Sequence, residues 1–123
     1  MSAHLKGMTQ AQKAEIAIND YLIVKTGTAE NEVTPAEDAE KPYGVAQVKE
    51  QLNPIVAGNT IEVAVYGGCY VRLGANTARG ASVKANSVGK AIAGTSGDWC
   101  IGVLDEAGST DDIVSMRIFI HKA

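Results

Sequence analysis

The segment Thr60-Ile61-Glu62-Val63-Ala64-Val65-Tyr66 places Ile61, Val63 and Val65 on one side of an extended chain. A second run near the end alternates Val114, Met116, Ile118 and Ile120 with Ser115, Arg117, Phe119 and His121. A period of two over that length predicts half-buried β-strands, because a helix would scatter the same residues around its circumference. Further short apolar segments fill the interval between turn formers: Tyr21-Leu22-Ile23-Val24-Lys25 before Gly27, Tyr43-Gly44-Val45-Ala46-Gln47-Val48, Tyr70-Val71-Arg72-Leu73 after a turn at Gly67-Gly68, Ala81 to Ala85, and Trp99 to Leu104. Strands this short, with turn signals this frequent, predict a small barrel or sandwich and not βαβ units.

The core has to be built from small and β-branched side chains. Among 123 residues there are one Trp, one Phe and four Tyr, so Val, Ile and Ala must fill the interior, and these fit a pleated sheet. Thr34-Pro35-Ala36-Glu37 has a capping Thr, a Pro at a first helical position and a returning Glu, and predicts one or two turns of helix there. Residues 1–16 are polar and Ala-rich without strand alternation and read as a mobile arm or a weak helix. The predicted organisation is an arm over 1–16 and one mainly β domain over 17–123, a small β-barrel with one or two short helices.

The domain divides into two loosely similar halves, about 17–66 and 67–123. Tyr21 to Lys25, Tyr43-Gly44-Val45-Ala46 and Ile61 to Val65 in the first are matched by Cys69 to Leu73, Ile101-Gly102-Val103-Leu104 and Ser115 to Ile120 in the second. In each half a glycine opens a Gly-Val strand, where a side chain would collide with a crossing strand or the strand must bend.

The run from Ile61 to Val71, then Gly89-Lys90-Ala91, Gly97-Asp98-Trp99-Cys100-Ile101-Gly102-Val103-Leu104 and the closing Ile113 to Ile120 resemble the capsid decoration (cement) proteins of tailed phages, of the type of the phage lambda head decoration protein. The resemblance covers roughly residues 20–121. It implies a β-tulip-like barrel that trimerises on the outside of a phage head, with the major capsid protein as partner, and stiffens the shell. Other virion roles, a head fibre base or a tail component, remain open beside it, as does a small-ligand-binding barrel. A lipoyl-type carrier would use Lys84 at a hairpin tip, but the acidic and Met neighbours it needs are missing from Ser82-Val83-Lys84-Ala85.

Other chemistry finds little footing in the sequence. His4 and His121 have no neighbours with metal-ligand spacing, and Cys69 and Cys100 lack a C-x-x-C arrangement. No nucleophile elbow or P-loop is present, and Gly89-Lys90-Ala91 lacks the hydroxyl that phosphate binding requires. Carboxylates such as Glu37, Asp38, Asp105, Asp111 and Asp112 fall in loops or helix starts, where solvated and capping roles suit them. No catalytic residue, metal or cofactor is therefore assigned. A net charge of −3 argues against nucleic-acid binding, and the short apolar runs argue against a membrane span. Synthesis in the host cytoplasm is expected, with the two cysteines as buried thiols.

Charge is unevenly placed. Arg72, Arg79, Lys84 and Lys90 occupy a stretch without acids, while Glu30, Glu32, Glu37, Asp38, Glu40 and Glu50 face only Lys41 and Lys49. Arg72, Arg79, Lys84 and Lys90 meeting Glu37, Asp38 and Glu40 of a neighbouring copy would make a head-to-tail subunit interface, the alternative being an unevenly charged solvated surface. The arm, with His4, Leu5, Lys6 and Met8, is the candidate capsid contact, ordered on docking, the alternative being an ordinary frayed terminus.

Overall fold

The alternating run at residues 60–66 is the first half of a longer strand. In the computed structural model, which describes residues 7–19, 21–38, 40–47 and 55–123, the chain stays extended from Thr60 to Arg72. The Gly67-Gly68 pair does not turn it back. Gly67 adopts φ 81°, a value open to glycine at low cost, and the strand passes through it.

Nine strands result among the described residues: β1 Gly7–Ala14, β2 Ile23–Thr26, β3 Glu32–Pro35, β4 Gly44–Gln47, β5 Thr60–Arg72, β6 Ser82–Ala85, β7 Ala91–Ala93, β8 Trp99–Leu104 and β9 Ile113–Lys122. They form one sheet in the order β1-β3-β2-β4-β5-β9-β8-β6-β7, and an additional β1–β5 pairing closes the first five strands into a barrel. The remainder curls in the same way. The second half of β5 pairs with β9, and a parallel bridge from Leu73 to Ala91 joins the end of β5 to β7. Two small barrels thus share one strand.

The pairing registers show that the second barrel repeats the first. Ile23 faces Val45 and Val24 faces Gly44, as Ser82 faces Val103 and Val83 faces Gly102. The β1–β3 parallel pair Ala14–Val33 corresponds to the bridge Leu73–Ala91, and the bridge Ile18–Ile55 to the bridge Thr77–Gly108. The matches drawn between the two sequence halves need one reassignment. Cys69 to Leu73 corresponds to the end of β1, and the counterpart of β2 is β6.

Two further expectations are corrected. Residues 7–14, read as part of an arm or weak helix, form β1, paired with β5 from Gly7–Gly67 to Lys13–Thr60. Their partner is a strand of the chain's own barrel, which supplies the order that the isolated segment lacks. Thr34-Pro35 does not start a helix; it ends β3, and no helix occurs among the described residues. The local capping pattern gives way to the sheet pairing Val24–Pro35 and Lys25–Thr34.

The first barrel is filled by Ala14, Ile18, Val24, Val33, Ala46, Ile55, Ile61 and Val63, all buried. Their counterparts in the second include Leu73, Val83, Ala91, Leu104, Val114 and Met116. Burying each larger aliphatic side chain contributes roughly 1.5–3 kcal/mol. Thr77 stands where the first barrel has Ile18, and its hydroxyl donates to the Ala75 carbonyl at 2.9 Å.

Candidate functional site

The two barrels meet along a dry junction. Ile23, Ala36, Val45 and Ala64, on the outside of the first barrel, are between 0% and 2% exposed. They belong to one continuous apolar cluster with Cys69, Val71, Ala85 and Ile101 of the second. Backbone bonds fix the contact: Ile23 N–H donates to Gly89 O at 2.8 Å, Asp38 N–H to Asn86 O at 3.0 Å, and Arg72 N–H to Tyr21 O at 2.9 Å. Tyr21 and Tyr70 pack edge to face across it, with centroids 6.3 Å apart.

The same place on the first barrel is open. Strand pairing makes Gln10 and Gln12 the counterparts of Cys69 and Val71 and Thr26 that of Ala85, and Tyr43 matches Ile101 as the residue before the paired glycines Gly44 and Gly102. These polar residues line a cavity of about 440 Å³ together with Thr28, Glu30, Asn31, Glu32 and Val33. The Tyr43 hydroxyl donates to Gln10 Oε1 and accepts from Gln12 Nε2 at 3.3 Å. A second hollow of about 320 Å³ lies beside it, lined by Glu15, Lys25, Thr34 and Glu37 among others. Sequence reasoning missed the mouth. Its available signal was the alternation of Gln10, Gln12 and Ala14 toward the barrel interior, which polar side chains at the first two positions concealed.

The residues singled out for a subunit interface are distributed differently. Lys84 binds Asp98 at 2.9 Å and Lys90 binds Asp111 at 2.7 Å. Arg79 Nε donates to the Asp105 carbonyl at 3.1 Å and Arg72 Nη1 to the Asp111 carbonyl at 3.0 Å. Glu40 binds Lys25 at 2.8 Å, and its other oxygen accepts from the Glu37 backbone at 2.9 Å. The ion pairs described join neither predicted set to the other. Of the arm residues, Met8 lies in β1, while His4, Leu5 and Lys6 fall outside the described residues.

The electrostatics are local. Thr95 and Lys84 hold the Asp98 carboxyl down at about 2, and Lys90 lowers that of Asp111. Both cysteines are free, buried thiols, and burial pushes Cys69 up to about 12 and raises Cys100. A thiol so placed is protonated and a poor nucleophile or ligand. Among the described residues no group of three His, Cys, Asp or Glu side chains could hold a metal ion. No helix of the described residues is long and apolar enough to cross a membrane. Outside the mouth, Tyr66 and Phe119 are the most exposed large apolar side chains described, at 66% and 63%, and His121 stacks on Phe119 with centroids 4.9 Å apart.

The geometry defines a tandem β-barrel protein whose distinctive surfaces are a polar mouth and exposed aromatic rings. No family model matches the chain, and no curated protein matches it. Among solved structures it is similar to the N base of the head fibre gp8.5 of bacteriophage phi29, with a TM-score of 0.74 and 17% sequence identity. That likeness covers 94% of this chain and 97% of the phi29 chain. At this identity it is a likeness of fold.

Proposed function

We propose that this chain is a structural protein of a phage head, carried on the outside of the capsid, which binds the major capsid protein by surface contact and acts without catalysis. One observation carries the reading: the fold matches a phage head fibre base over nearly the full length of both chains.

Two forms of the role are distinguished by what binding does to the shell. As a cement protein, trimeric like the family its sequence resembles, the chain stiffens the head against internal pressure. As a fibre base it anchors a projecting structure and leaves the shell's strength unchanged, the role named for the phi29 protein of like fold. Purified protein added to undecorated expanded heads is expected to bind to saturation at a fixed ratio to capsid protein. A rise in the temperature at which the heads rupture then supports cement, and no rise supports a fibre base. Failure to bind heads at any concentration overturns both.

A further inference from the structure

Both halves of the barrel junction are repeated elsewhere on the molecule, there unmatched by any of the described residues. The face of the first barrel that enters the junction, Ile23, Ala36, Val45 and Ala64, has counterparts in the second barrel at Ser82, Gly94, Val103 and Arg117. The registers fix these: Ser82 pairs with Val103 as Ile23 with Val45, and Val103 with Arg117 as Val45 with Ala64. Gly94 N–H donates to Ser82 O at 2.9 Å as Ala36 N–H does to Ile23 O. The first four are buried, whereas Ser82, Gly94 and Val103 are half-buried and Arg117 is exposed.

The receiving side shows the same contrast. Cys69, Val71, Ala85 and Ile101 are 0% to 4% exposed beneath the first barrel. Their counterparts Gln10 and Thr26 are exposed, and Gln12 and Tyr43 half-buried, around the open mouth. Among the described residues, therefore, one giving face has no receiver and one receiving mouth has no giver.

Both orphan halves differ from the junction in the same direction. Where the internal contact is apolar on both sides, the giving face carries a hydroxyl and a guanidinium, and the mouth carries two amides, a threonine and a phenol. Glu30 and Glu32 stand at the mouth's rim and Arg117 on the face, so the charges are complementary. A contact within one chain can be permanently dry, but a contact between copies must leave each copy soluble when alone, and polar substitution on both sides does this.

We propose that a second copy of this chain supplies what each half lacks: the Ser82–Val103–Arg117 face of one copy seats on the Gln10–Gln12–Tyr43 mouth of the next, head to tail, repeating the internal junction. Such a contact uses two different patches on every copy and generates a closed ring or a filament. It concerns contacts between copies and stands or falls independently of capsid binding.

The test uses the full chain. Light scattering over a concentration series is expected to show assemblies larger than one copy, weakening as salt is raised. Arg117→Glu is expected to weaken association by about tenfold or more, and Glu30→Arg with Glu32→Arg in the partner to restore it. A geometric test is independent of charge. A Cβ built on Gly89 would lie 3.4 Å from the Leu22 Cβ, close to the spacing a disulfide spans. The counterparts of these two positions are Asn31, which shares the positive φ of Gly89, and Ala81, whose carbonyl accepts from Leu104 as that of Leu22 does from Ala46. Mixing Asn31→Cys with Ala81→Cys chains is expected to give a disulfide between copies on mild oxidation. A protein of single-copy mass at every concentration overturns the proposal. So does an assembly that Arg117→Glu leaves intact and that forms no such bond.

Discussion

Gly44 and Gly102 stand at the same point of two successive barrels, and each is held against a neighbouring backbone. A Cβ on Gly44 would lie 2.3 Å from the Ala64 carbonyl oxygen, and one on Gly102 would lie 2.1 Å from that of Arg117. Each glycine is followed by valine, and each lies four residues after the carboxylate that binds a lysine, Glu40 with Lys25 and Asp98 with Lys84. The correspondence extends from the crossing point of the strands to the turn before it.

Gly44→Ala and Gly102→Ala are each expected to destabilise the fold by about 2 kcal/mol or more, because the obstacle is backbone and cannot rotate away. Gly80 is the control. It has φ 84° and nothing within 4 Å of an added Cβ, so Gly80→Ala is expected to cost only the left-handed strain, about 1 kcal/mol. Urea unfolding of the three variants measures the difference.

Because β5 belongs to both barrels, they are expected to unfold together. Val63→Ala, a cavity in the first barrel, should cost about 2 kcal/mol, and Met116→Ala, its counterpart in the second, about 2–5 kcal/mol. Fluorescence of Trp99, the chain's single tryptophan and a residue of the second barrel, is expected to report a shifted transition in both variants. A Trp99 transition untouched by Val63→Ala would show that the barrels unfold separately.

The Asp98 carboxyl sits at about 2 in the folded chain, through its bonds from Thr95 and then Lys84. In the unfolded chain it returns to about 3.9. A depressed acid contributes stability above the unfolded value and loses it as pH falls through the folded one. The wild-type chain is therefore expected to be more stable than Asp98→Asn above about pH 4, with the difference closing toward pH 2. Melting temperatures of the two proteins across that range check the sign.

Native protein at pH 8 is expected to leave a thiol-specific chromogenic reagent unreacted, since Cys69 is buried and raised to about 12 and Cys100 is buried and raised too. Denaturant should then release two thiols per chain, the number in the sequence.

The strands that bury most of one face were legible, because alternation reports burial: Ile61 and Val63 in β5, Val114, Met116 and Ile118 in β9. The Gly-Val pairs marked the duplication for a physical reason now visible in the carbonyls they abut. β1 was not legible. Its inward positions Gln10 and Gln12 line the polar mouth, so its pattern carried no hydrophobic period. This displaced the alignment of the halves, and Cys69 to Leu73 was matched to β2 instead of to β1. The Thr34-Pro35 pattern misled because a local cap is worth less than the three-residue ladder that β3 makes with β2. The cationic stretch was legible as composition, but its partners Asp98, Asp105 and Asp111 lie in turns that only the fold brings beside it.

The thirteen-residue strand common to both barrels has a mechanical corollary. Traction along it loads its hydrogen bonds in shear, so the bonds of many residues must slip at once, where a hinged linker would peel open one bond at a time. Pulled from opposite ends, the molecule should behave as one stiff rivet and not as two beads on a string.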